Sequence, residues 1–205
     1  MIGAPPGVRS RRELLRGAAT GTLALTTTGL LAASASAAST TAPLSVTQRL
    51  ARLAGVELLL AYCYQHVLSA SILKPHARTA LASFVQQARA HVNALGRELH
   101  ARGGALPAGP GSVREADRYL AGRKVPERLG QLRGDKDALR LLLSAEQSAV
   151  GAYFVALLEL QDRGLLELSA QMMANGAQHE SVLRLLLPPR KLSASAPYGL
   201  VQGRQ

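Results

Sequence analysis

Aromatic and β-branched side chains, which favour β-sheets, are scarce in this 205-residue sequence. It contains no tryptophan, aromatic residues make up 3% of it, and isoleucine occurs only at Ile2 and Ile72. The second half is instead rich in Leu, Ala, Gln and Arg, which favour helices. We therefore predict an all-α chain, long enough for one domain with a sizeable core but too short for two.

Cysteine is almost absent as well. Cys63 is the only one in the chain, so an intrachain disulfide is excluded. No Gly-rich phosphate loop, no G-x-S-x-G nucleophile motif and no Cys–His pair marks a catalytic centre. We assign no catalytic residue, and whether the protein is an enzyme is left open.

The first 37 residues have the pattern of a targeting segment. Arg11 and Arg12 precede an uncharged stretch at 17–31, and the small residues at 33–37 supply two A-x-A cleavage sites. This order resembles a twin-arginine export signal, which implies folding in the cytoplasm and export to the periplasm, cell envelope or medium. The alternative is a basic tail or a retained N-terminal anchor.

Positive charge exceeds negative charge along the whole chain. Removal of residues 1–37, which hold four arginines and one glutamate, would lower the formal net charge from +11 to +8. The remaining arginines form no patterned stripe with aromatic residues, so we expect no nucleic-acid partner. We expect an anionic envelope surface as a candidate partner and no transmembrane segment in the mature chain, while a homodimer is left open.

Apolar periodicity predicts four long helices and one short one. Capping boxes at Ser45 and Ser112, Pro75 in a first turn, and breakers at Gly103 and Pro188 set their ends. The predicted helices span residues 46–72, 75–102, 112–121, 135–162 and 165–187. They form two tight hairpins joined by a long crossover that contains the short helix.

Ionisable residues occur on the apolar stripe of each long helix. Glu57 and Glu146 lie 89 residues apart, and each is followed seven residues later by a tyrosine, Tyr64 or Tyr153. The histidines on the second and fourth helices lie 88 residues apart and are His91 and His179. This repeated spacing indicates an internal duplication of a two-helix unit.

Hairpin geometry predicts that the glutamates and histidines meet. In each hairpin the glutamate and the histidine are equally distant from the turn, at roughly 22 Å along the helix axis. They should therefore lie at the same height, near the centre of the bundle. A buried carboxylate needs such a partner, since burying it alone costs several kcal/mol.

These features resemble the ferritin-like four-helix bundle of exported proteins, over about residues 45–187 and in the short tail "APYGLVQG". We expect a signal peptide at 1–37, the bundle at 38–190 and a tail at 191–205. The resemblance implies a site for two iron or manganese ions, with one Glu from each of two helices and Glu-x-x-His from each of the others. Here Ala88 and Gly176 replace the two glutamates of the Glu-x-x-His motifs.

Three states of the centre follow from the residues that remain. The first is metal-free, with buried Glu–His pairs supported by the tyrosines. The second is a single Fe, Mn or Zn ion, and the third is a dinuclear centre completed by water or other carboxylates. The candidate metal ligands are Glu57, His91, Glu146 and His179.

The favoured function is a non-catalytic binding or structural role for a protein with a degenerate site. One alternative is a metal-binding or redox protein of the envelope. The other is an envelope stress or assembly factor that acts through its basic surface.

Overall fold

The computed structural model describes residues 43–188. The predicted signal peptide at 1–37 and the tail at 191–205 lie outside these residues. Within the described range there are six α-helices and one 3₁₀ turn and no strand, which confirms the all-α prediction. The helices are α1 (Val46–Ser69), α2 (Pro75–Leu81), α3 (Phe84–His100), α4 (Val113–Gly122), α5 (Asp135–Glu159) and α6 (Arg163–Leu186), and the 3₁₀ turn is Leu129–Gln131.

Helix α1 begins as the sequence predicts and ends three residues early. The Ser45 hydroxyl accepts from the Gln48 N–H at 3.2 Å, and the Gln48 side chain accepts from the Ser45 N–H at 2.9 Å. At the other end, the Arg78 guanidinium donates to the carbonyl oxygens of Leu68 and Ala70. These bonds satisfy the last carbonyls of α1 from outside the helix, so that it ends at Ser69 and not at residue 72.

The predicted helix at 75–102 is wrong in one respect, because the structure divides it into α2 and α3. Ala82 and Ser83 keep right-handed helical angles between the two segments. However, the Ala82 N–H donates to the Thr79 carbonyl three residues back, and the Thr79 hydroxyl donates to the Pro75 carbonyl at 3.1 Å. Such back-bonding by threonine competes with the regular helical bonds and bends helices, so it accounts for the interruption.

The crossover begins at a glycine after α3, and a carboxylate of α4 holds its later part. Gly103 adopts φ +70°, and the Gly104 N–H returns to the Leu99 carbonyl at 2.9 Å, which ends the helix near the predicted breaker. Later in the crossover, Asp117 of α4 accepts from the backbone N–H groups of Leu129 and Gly130. This holds the 3₁₀ turn against α4.

The two hairpins pack together along α1 and α5. Helix α1 packs on α3, α5 packs on α6, and α1 and α5 are in contact. The second turn is tight because the Asp162 side chain caps α6 by accepting from the Leu165 N–H at 2.9 Å. Helix α5 is the one described helix that is long and apolar enough to cross a membrane by length and composition alone.

The buried apolar residues form two clusters along the bundle. One contains Tyr64, Leu139 and Leu142, and the other contains Leu53, Leu95 and Tyr153. Side chains from both clusters line a small cavity together with the glutamates and histidines of the predicted centre. The polar groups therefore lie within the core, at the level where the two clusters meet.

Candidate functional site

Two buried glutamates occupy the bundle centre. Glu57 of α1 is 2% exposed and Glu146 of α5 is 1% exposed. Each lies on the apolar face of its helix, as the periodicity predicts. Both carboxylates would be strongly unfavourable there without hydrogen-bond donors.

Each glutamate is paired with the histidine of its own hairpin. His91 Nδ1 lies 3.2 Å from Glu57 Oε1, and His179 Nδ1 lies 2.8 Å from Glu146 Oε1. Each glutamate therefore lies at the same height as the histidine of its hairpin, as predicted from their equal distances to the turn. The four side chains line one cavity of about 10 Å³, room for about one water molecule.

The tyrosines connect the two hairpins, which the sequence analysis did not foresee. The Tyr153 hydroxyl donates to Glu57 Oε1 at 2.6 Å, and the Tyr64 hydroxyl donates to Glu146 Oε1 at 2.7 Å. Each tyrosine therefore donates a hydrogen bond to the glutamate of the other repeat. Since the tyrosine follows its own glutamate by seven residues in both helices, this exchange requires α1 and α5 to run antiparallel.

Burial dominates the electrostatics of the centre. It raises the pKa of Glu146, while the hydrogen bonds from His179 and Tyr64 act in the opposite direction. The pKa values of Tyr64 and Tyr153 are well above the usual range, first because of burial and then because of the carboxylates they contact. Both hydroxyls are consequently protonated donors at neutral pH.

A second layer of side chains holds His179, and sequence reasoning missed it. The Nε2 atom of His179 contacts Gln87 Oε1, which also accepts from Asn175 Nδ2 at 3.4 Å. Gln87 and Asn175 are 88 residues apart, the same spacing as the two histidines, and both precede a histidine by four residues. That spacing was a signal in the sequence that could have identified them.

The duplicated centre is asymmetric. Phe84 stacks on the His179 ring at 3.8 Å with an interplanar angle of 14°. Its counterpart 88 residues later is Met172, whose sulfur lies 3.3 Å from the Tyr153 hydroxyl. The His179 side chain is 6% exposed, against 18% for His91. The second histidine is therefore held more tightly than the first.

The donor set does not fit a two-metal centre of the ferritin type. Both bridging carboxylates are missing, because Ala88 and Gly176 stand in their places and neither has a ligand atom in its side chain. Another buried glutamate, Glu180, is bonded to Arg184 at 3.3 Å. Within residues 43–188, no three His, Cys, Asp or Glu side chains are grouped so that they could hold an ion. Ligation by Glu57, His91, Glu146 and His179 stays a prediction.

Comparison with known proteins agrees with this architecture. Residues 45–188 match the family model of the ferritin-like domain. The chain belongs to the ferritin-like domain family. A solved structure with the same fold is that of a conserved hypothetical protein, rv2844, from Mycobacterium tuberculosis, with a TM-score of 0.58 and 18% sequence identity over 73% of this chain and 94% of that one. No curated protein matches the sequence.

Proposed function

We propose that this ferritin-like protein is exported and acts without a di-metal centre, in a non-catalytic binding or structural role. The observation that carries the proposal is that protein groups hold the two glutamates. Each has one oxygen that accepts from a tyrosine hydroxyl and contacts a histidine nitrogen, while both bridging carboxylates are absent. The polar centre then links the two hairpins through hydrogen bonds between protein groups.

Export is the second part of the proposal and rests on the sequence alone. The arginine pair, the uncharged stretch and the A-x-A sites follow one another in the order that an export signal requires. Because a twin-arginine substrate folds before export, the bundle would be complete, with its final metal content, when it leaves the cytoplasm.

Elemental analysis of the purified full chain tests the proposed centre. The parent should hold far less than one metal ion per chain. Restoring the missing ligands with Ala88→Glu and Gly176→Glu should raise this toward two ions. A Cβ at Gly176 would lie 3.0 Å from Val150 Cγ2, so the variant also needs Val150→Ala to make space.

Two controls make the result specific. Val150→Ala alone should bind no metal, and Ala90→Glu with Ala174→Glu adds two carboxylates at exposed positions of the same helices and should also bind none. The restored variant should gain thermal stability only when metal is added, because ligands that bind only the folded state stabilise it. A parent that already holds two ions per chain would overturn the metal-free proposal.

One observation favours a second candidate, a mononuclear metal protein. Glu57, His91, Glu146 and His179 all line the same small cavity, and they supply two carboxylates and two imidazoles. One ion per parent chain, lost in Glu146→Gln, would establish this candidate in place of the first.

A further inference from the structure

A larger cavity lies between α1, α4 and α5, and it shares no lining residue with the bundle centre. Its volume is about 520 Å³, within the range of small-molecule sites in proteins. Four arginines and one glutamate face it: Arg49, Arg52, Arg118, Arg123 and Glu159. The cavity is therefore cationic overall.

Among the residues that the structure describes, two of these arginines have no carboxylate to balance them. Arg49 forms an ion pair with Glu159, and Arg118 lies near Glu115. Arg52 and Arg123 pair with no acidic side chain of residues 43–188. Burial and the neighbouring Arg52 lower the pKa of Arg123. An anion held between the two guanidinium groups would relieve this repulsion.

The rest of the cavity wall is apolar. Leu53, Val56 and Ala156 are buried and form part of its lining. Val155 and Tyr119 also line it, although they are 53% and 43% exposed. These accessible apolar side chains lie beside two arginines that have no acidic partner within residues 43–188. The combination indicates a ligand with both an anionic and an apolar part.

We propose that this cavity binds a long-chain organic anion, whose carboxylate or phosphate head lies between Arg52 and Arg123 and whose chain contacts Leu53, Val56 and Val155. The guanidinium groups supply paired N–H donors that match either head group. The apolar wall supplies affinity that an inorganic anion could not use. The proposal does not depend on the state of the glutamate–histidine centre.

Calorimetric titration of the full chain tests the ligand class. Laurate and dodecyl phosphate, both kept below their micelle-forming concentrations, should bind with a stoichiometry of one. Dodecyl maltoside lacks the charge and inorganic phosphate lacks the chain, so each should bind at least tenfold more weakly. The tighter of laurate and dodecyl phosphate identifies the preferred head group. Equal binding of dodecyl maltoside, or binding only to vesicles of anionic phospholipid, would overturn the proposal.

Variants with matched controls test the position. Arg52→Gln with Arg123→Gln should weaken laurate binding at least tenfold, whereas Arg97→Gln with Arg140→Gln removes the same charge from exposed positions outside the cavity and should leave it unchanged.

Val155→Glu should also weaken laurate binding at least tenfold, because it places a carboxylate in the cavity wall. Phe154 is 55% exposed and does not line the cavity, so Phe154→Glu should keep the affinity. If Phe154→Glu and Val155→Glu weaken binding equally, the amphiphile adheres to the exposed face of α5 and the proposed site is wrong.

Discussion

The buried glutamates show at the residue scale how an acidic group is kept inside an apolar core. Glu57 and Glu146 each accept one hydrogen bond from a tyrosine hydroxyl across the bundle and contact one histidine within their own hairpin. The Glu–His contacts are local to a hairpin, whereas the tyrosine bonds join α1 to α5 and the contact of His179 with Gln87 joins α6 to α3. The tyrosines and Gln87 therefore connect the two hairpins.

Removal of a tyrosine hydroxyl should destabilise the fold. Tyr64→Phe and Tyr153→Phe each remove one of the two polar contacts of a buried carboxylate. We expect each to lower the free energy of unfolding by about 1–3 kcal/mol. Urea unfolding monitored by circular dichroism measures this loss. Tyr119→Phe is the matched control, because the Tyr119 hydroxyl also donates to a glutamate but its side chain is 43% exposed. If the three variants unfold at the same urea concentration, the hydroxyl bonds at the centre do not stabilise the fold.

The residues of the centre were predictable to different degrees. A carboxylate on an apolar stripe is conspicuous, and its distance from a hairpin turn predicts the histidine that faces it. The exchange of Tyr64 and Tyr153 depends on how α1 packs against α5, and periodicity within one helix contains no information about that. The position of Gln87 beside a histidine could have been inferred only by extending the 88-residue repeat beyond the histidines. The repeat does not predict the stacking of Phe84, because the counterpart of Phe84 is Met172.

At the scale of the helices, capping by nearby side chains determines where most of them begin. Ser45, Ser112 and Asp162 each accept from the backbone N–H of the third residue of their helix, as capping residues do. These signals are short-range, so the sequence predicted the ends to within a few residues. The interruption between α2 and α3 was missed because Thr79 is compatible with a helix and bends it only through its bond to the Pro75 carbonyl.

Two glycines should respond in opposite ways to substitution by alanine. Gly103 has φ +70°, so Gly103→Ala should cost about 1 kcal/mol of stability. Gly151 lies within α5, and a Cβ there would meet nothing within 4 Å. Gly151→Ala should therefore stabilise the protein by about 0.4–1 kcal/mol, because it restricts the unfolded chain and favours the helix.

Thermal and urea unfolding of both glycine variants measure these effects. The opposite signs of the two stability changes matter more than their magnitudes. If alanine acted only by reducing the conformational freedom of the unfolded chain, both variants would be stabilised. A stabilising Gly103→Ala would mean that the end of α3 does not require a left-handed residue.

The order of folding and export matters at the scale of the whole molecule. Four helices contribute side chains to the bundle centre, so neither hairpin alone can satisfy its glutamate. A chain translocated unfolded would have to assemble this centre outside the cytoplasm. The proposed twin-arginine signal would avoid this problem, because the bundle would then be complete before it crosses the membrane.

The last prediction concerns the arginine pair that would direct this export. Replacing Arg11 and Arg12 with lysine keeps the charge but removes the side chains by which a twin-arginine receptor recognises its substrates. Full-length precursor should then accumulate in the cytoplasm, whereas the parent should appear outside the membrane as a shorter chain cleaved near residue 37. Cell fractionation followed by immunoblotting and N-terminal sequencing measures both. Arg9→Lys with Arg16→Lys makes the same change beside the pair and should leave export intact. Normal secretion of the Arg11 and Arg12 variant would show that the pair is not the signal and would support a basic tail at the N-terminus.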